Sequence, residues 1–307
     1  MNKKTVVIVG AGPVGSSAGY LLARAGYRIA SVVSRTRASA DEAAAFIGGG
    51  APTTDAARAA SGADIVLIAT PDRVIKDVCE YISAGGMLKA GTLVAHLSGA
   101  HSLHLLDAAK AVGAYRAVVH PLQSVPGREQ GIKNLPGSYF RIEADPEALE
   151  TARDLVKALG GVELVMPKLR SDKHSAALYH AGAVAVSNFL VALIDYGIKF
   201  YEALGADKRE ALKAVLPLIR GTLHNIETLG IPDALTGPIT RGDAQTVRDH
   251  LEAMQATAPE LLGLYKELAK QTISVARDKR SITKEITSEL LSALDDRLSR
   301  AGGDPEI

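Results

Sequence analysis

The sequence has little cysteine, little aromatic character and almost no net charge. Of its 307 residues, one is cysteine (Cys79), none is tryptophan and 4% are aromatic. A lone cysteine forms neither an internal disulfide nor a zinc cluster, so we expect a reducing cytoplasm and no metal site. A formal net charge of +1, few aromatic residues and no basic blocks argue against nucleic acid as a partner.

The N-terminus also lacks a long apolar run of the kind found in secretion signals. The basic start "MNKK" leads into an apolar segment that glycines interrupt, so we expect no signal peptide and no membrane partner. What the chain does have is length and apolar content. With 47% hydrophobic residues it can form one large or two ordinary domains with real cores.

The first segment with a clear pattern is "TVVIVGAGPVGSSAG" from Thr5. Its β-branched residues predict a buried parallel strand, and the alanine- and leucine-rich stretch that follows predicts a helix. Glycines between a strand and a helix let the backbone approach a pyrophosphate, which the helix N-terminus binds. The sequence therefore predicts a dinucleotide site whose first contacts are Gly10, Gly12, Pro13, Val14 and Gly15.

The end of the second predicted strand indicates which dinucleotide binds. NAD-binding proteins place an acidic residue about 20 residues beyond the third glycine, where it binds the ribose hydroxyls. Here the segment reads "SRTR", with Ser34, Arg35 and Arg37 and no acid. Guanidinium groups bind phosphate through charge-assisted hydrogen bonds, so we expect NADP, whose ribose carries a 2′-phosphate. Alternatively, the two arginines belong to a solvated loop.

The remaining sequence predicts two domains that differ in secondary structure. Strands alternate with helices up to about residue 167, as in a doubly wound α/β domain with a mostly parallel, Rossmann-like sheet. Residues 168–307 hold no convincing strand and predict an all-helical domain. Its expected helices lie near 171–203, 207–228, 243–254, 258–278 and 283–300.

Residues at the carboxyl ends of the predicted strands form the first group of candidate site residues, because ligands of open α/β sheets bind there. Thr70-Pro71 in "ATPD" places a hydroxyl beside the cofactor, or else only begins a helix. Ser98 and His120 follow the next two strands. His120 can exchange a proton with a reacting oxygen near neutral pH, although a structural role at a strand end is the alternative.

A second group lies on the predicted helix 171–203, which is apolar nearly all round. At about 100° per residue, its polar residues Lys173, His180, Ser187, Asn188 and Asp195 fall within an arc of about 100°. The ends of this arc are about 33 Å apart along the helix, so a single substrate reaches only a subset, such as His180 with Asn188 or Lys173. The alternative is that these residues are buried and hydrogen-bonded for structural reasons.

A third group lies in the loop "ALTGPITRGD" from Ala234. Thr236, Gly237 and Arg241 supply donors for a carboxylate. Alternatively, the segment is a turn that ends in a helix cap at Asp243.

Six segments together carry a resemblance to a known family: "GAGPVG", "ATPD", "HLSGA", "HPLQS", "LYHAGAVAVSNFLVAL" and "LTGPITRGD". They resemble bacterial proteins in which a Rossmann-like NADP-binding domain precedes a helical domain long catalogued as of unknown function. The wider superfamily contains 6-phosphogluconate and hydroxyisobutyrate dehydrogenases, ketopantoate reductase, pyrroline-5-carboxylate reductase and prephenate dehydrogenase. The resemblance covers nearly the whole chain.

The resemblance implies roles for individual residues. Hydroxyacid dehydrogenases carry a catalytic Lys and a later Asn on the first helix of the second domain, near the positions of His180 and Asn188. Prephenate dehydrogenases carry a catalytic His in an "HP" motif and a Ser after the preceding strand, as His120 and Ser98 stand here. The "LTGPIT" segment lies where pyrroline-carboxylate reductases bind the substrate carboxylate across a dimer interface.

The resemblance also implies an activity. We expect a cytoplasmic, homodimeric, NADPH-dependent oxidoreductase that reduces a small carboxylate-bearing carbonyl compound, with 2-ketopantoate as the first candidate and His180 as the preferred proton donor. Alternatives are a prephenate- or arogenate-type dehydrogenase, an imino-acid reductase and a non-catalytic NADP-sensing protein.

Overall fold

The computed structural model describes residues 4–295, which divide into two compact units. The first unit extends to Phe189 and the second begins at Leu190. The boundary predicted after residue 167 falls in the segment between the last strand and the first helix of the predicted helical part. The placement of the domain boundary stays a prediction.

The first unit is built on one sheet of eight strands in the order β3-β2-β1-β4-β5-β6-β7-β8. Strands β1 to β6 are parallel to one another, β7 is antiparallel to β6, and β8 is parallel to β7. The strands are β1 (Thr5–Val9), β2 (Arg28–Val33), β3 (Ala51–Thr53), β4 (Ile65–Ile68), β5 (Leu93–His96), β6 (Tyr115–Pro121), β7 (Tyr139–Ala144) and β8 (Val162–Glu163).

Helices pack on the sheet and bury its apolar strands. Every residue of β4 and β5 is buried, as expected for central strands of a parallel sheet. The helices of this unit are α1 (Pro13–Arg24), α2 (Arg37–Ile47), α3 (Ala56–Ala60), α4 (Ile75–Ala84), α5 (Asp107–Ala111), α6 (Arg128–Asn134), α7 (Leu149–Ala158) and α8 (Lys173–Val186). The predicted α/β class with a mostly parallel sheet is confirmed.

The second unit is all helical over its described residues. Its helices are α9 (Asn188–Ala203), α10 (Lys208–Leu229), α11 (Ala244–Thr257), α12 (Leu262–Asp278) and α13 (Lys284–Asp295). The core of this unit lies among α11, α12 and α13, where Leu251, Ile273 and Leu290 are almost fully buried. The predicted helix 283–300 is confirmed as far as Asp295, and its remainder lies outside the described residues.

The expectation of one helix over 171–203 is wrong in one respect. Helix α8 ends at Val186 and α9 begins at Asn188, with Ser187 at φ −116° and ψ −68° between them as the C-cap of α8. Serine and asparagine are poor residues for a helix interior, since their side chains compete for backbone hydrogen bonds. The polar residues that the sequence placed on one helix therefore lie on two.

Helices α8 and α9 are unusually apolar for exposed helices. By length and composition alone, residues 173–203 are a candidate membrane span, with a mean hydropathy of 1.7 in their most apolar window, and none of that window is buried. Leu178 and Val186 on α8 and Val191 on α9 are each at least 70% exposed.

Candidate functional site

The glycine-rich turn between β1 and α1 forms the floor of the site. A Cβ atom on Gly10 would lie 2.6 Å from the backbone of Ala69, and Gly10 itself has φ +118°, so only glycine fits. At Gly12 an added Cβ would meet nothing within 4 Å. Gly12 caps α1 without a side-chain hydrogen bond, and Pro13 is the first helical residue. This helix N-terminus is therefore open to an anion.

Predicted cofactor contacts surround a cleft of about 480 Å³ above this turn. Gly10, Gly12, Ser34, Arg35, Thr70 and Pro71 line the cleft. Val14 and Gly15 lie in the first turn of α1, where Gly15 packs against the carbonyl of Gly10. Pro13, Val14 and Gly15 are not among the residues that line the cleft.

Two arginines line the cleft, and one of them was missed by the sequence analysis. Arg35 and Arg73 both face it, and neither forms an ion pair with another described residue. Arg37 instead pairs with Asp41 one turn along α2, at 3.0 Å between Nε and Oδ1. Arg73 directly follows the "ATPD" motif, so its proximity to the cleft was available from the strand-end argument. The cleft thus holds two guanidinium groups that are free to bind phosphate.

Several buried polar side-chain atoms of the first unit have no hydrogen-bond partner. Among residues 4–295 these atoms are Thr70 Oγ1, which lines the cleft, and Ser98 Oγ, Arg141 Nε and His180 Nδ1. Thr70 and Ser98 follow β4 and β5, which are neighbours in the sheet and run parallel. An unpaired buried polar atom costs about 1–3 kcal/mol, so these atoms indicate a place where a ligand supplies the missing partner.

His96, which the sequence analysis missed, shapes the loop that carries Ser98. The Nδ1 atom of His96 accepts a hydrogen bond from the Ser98 N–H group at 3.1 Å. Its Nε2 atom lies 3.2 Å from the Ser102 carbonyl, so Nε2 carries the proton. Burial lowers the pKa of His96 to about 4. His96 is therefore a neutral residue that fixes the loop 98–102.

His120 lies in a cluster with Tyr179 and His180 of α8. Its Nδ1 atom is 2.9 Å from the Tyr179 hydroxyl, and the two rings meet edge to face with centroids 5.5 Å apart. The centroid of the His180 ring is 6.1 Å from that of His120. The structure thus brings together both histidines that the sequence proposed as proton donors.

The electrostatics of this cluster keep His120 neutral. Burial, followed by the proximity of His180, Arg141 and His96, lowers the pKa of His120 to about 3. Burial raises the pKa of the Tyr179 hydroxyl to about 12, and the Arg141 charge opposes that shift. Near neutral pH, His120 is therefore an uncharged imidazole next to a protonated phenol.

Arg141 connects this cluster to the loop after β5. It is fully buried, stands opposite His120 in the β6–β7 register, and lies with its guanidinium carbon 5.5 Å from the centre of the Tyr179 ring. It donates to the carbonyls of Gly99 at 3.0 Å and His101 at 3.2 Å, and it pairs with Glu143. Arg141 therefore holds the loop against β6.

The other predicted site residues belong to other elements of the chain. Asn188 begins α9 and is exposed. Thr236, Gly237 and Arg241 belong to the second unit, in a turn where Thr240 Oγ1 donates to the Gly237 carbonyl at 2.9 Å. Asp243 caps α11 by accepting from the Thr246 N–H group, as the alternative interpretation of this loop expects. The roles of these residues toward a substrate stay predictions.

Comparisons with known proteins agree with this architecture. Residues 1–121 match the model of a Rossmann-like domain, and residues 138–272 match the domain of unknown function DUF2520. This chain joins a Rossmann-like domain to a DUF2520 domain. The DUF2520 match begins in the sheet at β7 and extends through α8, so it includes Arg141, Tyr179 and His180. None of the curated proteins compared with the chain matches it.

Solved structures share the fold over most of the chain. Protein TM1727 from Thermotoga maritima is 28% identical, with a TM-score of 0.68, over 90% of this chain and 99% of its own. A Bacteroides fragilis protein provisionally named an NADP oxidoreductase is 22% identical, with a TM-score of 0.69, over 89% and 99%. The pyrroline-5-carboxylate reductase of Coxiella burnetii is 19% identical, with a TM-score of 0.56, over 92% and 100%.

Proposed function

We propose that this protein is an NADP-dependent oxidoreductase that reduces a small carbonyl or imine compound. The observation that carries the proposal is a set of unpartnered polar groups after neighbouring strands and around His120. Among residues 4–295, Thr70 Oγ1 and Ser98 Oγ, after β4 and β5, and His180 Nδ1, beside His120, have no hydrogen-bond partner. Polar atoms without partners next to a dinucleotide cleft are what a substrate oxygen or nitrogen and a cofactor would satisfy.

The cleft fits NADP. The open N-terminus of α1 at Gly12 would hold the pyrophosphate, and Thr70 Oγ1 is available for a cofactor hydrogen bond. Arg35 and Arg73 would bind the 2′-phosphate, with Ser34 beside them. When bound, the reduced nicotinamide supplies a hydride to the substrate. A Bacteroides fragilis protein of the same fold carries an NADP oxidoreductase name, which supports this cofactor.

The residues of this chain then handle the substrate oxygen and its proton. Ser98 orients the carbonyl with its free hydroxyl, and His120 donates a hydrogen bond that strengthens as negative charge develops on the oxygen. The geometry favours His120 over His180 as this donor, because His120 is held by Tyr179 while His180 Nδ1 has no partner in the described structure. His180, in the neighbouring position, contacts the substrate or helps to return the proton to His120.

Two substrate classes are consistent with these groups. The first is a carboxylate-bearing 2-oxo compound, with 2-ketopantoate as the first candidate, and Thr236, Gly237 and Arg241 as the predicted carboxylate ligands. The second is a cyclic imino acid, which the fold similarity to a pyrroline-5-carboxylate reductase favours. A neutral hydrogen-bond donor such as His120 serves either a carbonyl oxygen or an imine nitrogen.

The test is NADPH oxidation measured with a panel of 2-ketopantoate, other 2-oxo acids, 1-pyrroline-5-carboxylate and prephenate. We expect turnover with a 2-oxo acid or an imino acid and loss of turnover in His120→Gln. Tight NADPH binding without turnover on any member of the panel would contradict the enzymatic assignment and favour the sensor. Oxidation of prephenate with NADP would replace the reductase assignment by a dehydrogenase.

We further propose that the protein is a cytoplasmic homodimer formed through the exposed helices of the second unit. Helices α9 and α10 line an apolar groove of about 600 Å³, and Leu218 on α10 is 68% exposed. A membrane is a poorer occupant for α9, because Asp195 in its middle pairs with Lys208 at 2.6 Å and lies near Lys199. Charged groups are costly within a bilayer, whereas an interface between two copies accommodates them at its rim.

A further inference from the structure

Tyr179 has no role in the sequence analysis, yet it is the hydroxyl that contacts His120. Among residues 4–295, the Nδ1 atom of His120 is the hydrogen-bond partner of the Tyr179 hydroxyl, at 2.9 Å. The charged group at the Tyr179 ring is Arg141, with its guanidinium carbon 5.5 Å from the ring centre. Donation from the phenol to Nδ1 increases the negative charge on the phenol oxygen, which a nearby guanidinium stabilises, so this direction of the hydrogen bond is the favoured one.

The direction of this hydrogen bond determines the tautomer of His120. A neutral imidazole carries its proton on one nitrogen, so acceptance at Nδ1 places the proton on Nε2. The Nε2 atom makes no hydrogen bond with any residue in the described part of the chain. Nε2 also lies against Gly99, the residue after Ser98, whose hydroxyl is unpartnered. The free N–H group of His120 thus faces the loop where the proposed substrate oxygen would bind.

We propose that Tyr179 is a positioning residue that holds His120 as its Nε2–H tautomer and returns, through Nδ1, the proton that His120 gives to the substrate. The return of the proton rests on the proposed oxidoreductase function, whereas the tautomer of His120 does not depend on any reaction. The Nδ1 atom of His180, on the same helix as Tyr179, has no hydrogen-bond partner among residues 4–295, so the two histidines are not equivalent.

The proton balance of this step closes on groups of the chain. As the Nε2–H bond of His120 breaks, an O–H bond forms on the substrate, and the Tyr179 O–H bond breaks as an Nδ1–H bond forms. The resulting phenolate lies beside the Arg141 guanidinium, which stabilises it. Tyr179 also lines an open groove of about 550 Å³ with residues 165–169 and Leu178, through which solvent returns the proton.

The groups around His120 explain why the neutral ring needs Tyr179 to replace the proton that it donates. The titratable and charged groups that face it are Tyr179 and His180 on α8, Arg141 on β7 and His96 on β5, and none of them is a carboxylate. Burial, and after it the proximity of His180, Arg141 and His96, lowers the pKa of His120 to about 3, so the imidazolium form is not available near neutral pH. A proton donor that starts neutral can give its proton only if another group replaces it.

The experiment combines the variant Tyr179→Phe with nitrogen NMR of protein labelled with 15N-histidine. The His120 signals are assigned by their loss in His120→Gln. Tyr265→Phe is the matched control, because the Tyr265 hydroxyl lies 2.7 Å from Nδ1 of His250 in the second unit, with the rings again edge to face. Turnover of NADPH with the best substrate is measured on the unmodified protein, Tyr179→Phe and Tyr265→Phe.

In the unmodified protein and in Tyr265→Phe, we expect His120 to be neutral with the proton on Nε2 from pH 5 to 9. In Tyr179→Phe, we expect a mixture of tautomers and a turnover about 10- to 100-fold lower, with NADPH affinity unchanged. A proton on Nδ1 in the unmodified protein, titration of His120 near pH 6.5, or full turnover in Tyr179→Phe would overturn the proposal. If the protein turns over no substrate, the proposed function fails while the NMR result still decides the role of Tyr179.

Discussion

Gly99 lies directly against the imidazole of His120. A Cβ atom built on Gly99 would come within 2.6 Å of His120 Nε2 and 2.7 Å of its Cε1. Any larger residue in the loop after β5 must therefore move the ring or the loop. Since Arg141 also binds the Gly99 carbonyl, the loop has little freedom to move away. The position of His120 thus depends on Gly99, because the backbone at this residue lies too close to the imidazole ring for a side chain to fit.

We therefore predict that Gly99→Ala lowers turnover by about 10²-fold or more, as expected when a proton donor is displaced. NADPH affinity is expected to change little, because Gly99 does not line the dinucleotide cleft. Steady-state kinetics and fluorescence titration of NADPH measure the two effects. Gly263→Ala is the control, since a Cβ atom there meets nothing within 4 Å. Unchanged turnover in Gly99→Ala would show that His120 does not donate the proton.

Cofactor preference provides the second prediction. Because Arg35 and Arg73 line the cleft without ion pairs, NADPH should bind more tightly than NADH, and Arg35→Ala should remove most of that difference. Arg73→Ala should weaken NADPH binding more than NADH binding. Arg37→Ala is a matched control, because Arg37 is already paired with Asp41. Equal affinities of the unmodified protein for both cofactors, measured by titration, would refute this assignment.

The buried histidines predict a loss of stability in mild acid. The pKa of His96 is lowered to about 4 and that of His120 to about 3, against about 6.5 in the unfolded chain. Between these values the unfolded state binds more protons than the folded state. Stability is thus complete above pH 6.5 and falls as the pH decreases, by about 1.4 kcal/mol per pH unit for each histidine.

Urea unfolding at pH 7, 6 and 5 tests this dependence. The variant His96→Gln should have a shallower pH dependence over this range, whereas His104→Gln, which changes an exposed histidine, should not. Asp64 and Asp145 have lowered pKa values, and their contribution is lost only below about pH 4. A free energy of unfolding that stays constant from pH 7 to 5 would show that His96 and His120 do not resist protonation.

The site residues that come directly after a strand could be predicted from the sequence. The site residues whose position depends on strand pairing or helix packing could not. Gly10, Ser98 and His120 are found because parallel strands end at one edge of the sheet. Arg141 contributes through the antiparallel pairing that sets it opposite His120, and no local pattern indicates that register. Tyr179 looks like an ordinary apolar helix residue until α8 is packed on the sheet.

The same distinction holds for the elements of the fold. The β-branched runs of β1 and β4 are clear strand signals, whereas β3 has three residues, one of them Pro52, at the edge of the sheet. The segment "VELVM" predicts a longer strand than β8, which pairs with β7 only at Val162 and Glu163. The apolar periodicity also failed to predict the break between α8 and α9 at Ser187, because the apolar pattern continues across it.

The proposed dimer gives the fourth prediction. Light scattering at micromolar concentration should give the mass of two chains in the absence of detergent, because α9 and α10 expose an apolar groove that a second copy would cover. Leu218→Glu places a charge in this groove and should produce a monomer. Val112→Glu changes an exposed apolar residue of the first unit and should leave the mass unchanged. A monomer in the unmodified protein, or a need for detergent, would contradict the dimer.

The last prediction separates the two histidines of the site. Their ring centroids are 6.1 Å apart, so either could reach one substrate atom, but His120 is oriented by Tyr179 and His180 is not. We therefore expect His120→Gln to lower turnover by about 10²-fold or more and His180→Gln to lower it by about 10-fold or less.

The two variants are compared by single-turnover kinetics, with NADPH titration to confirm that cofactor binding is intact. The reverse order of effects would make His180 the proton donor and Tyr179 irrelevant to it. Full activity in both variants would mean that neither imidazole donates the proton. In that case the unpartnered hydroxyls of Ser98 and Thr70 would be the next candidate donors, and their removal would be the next measurement.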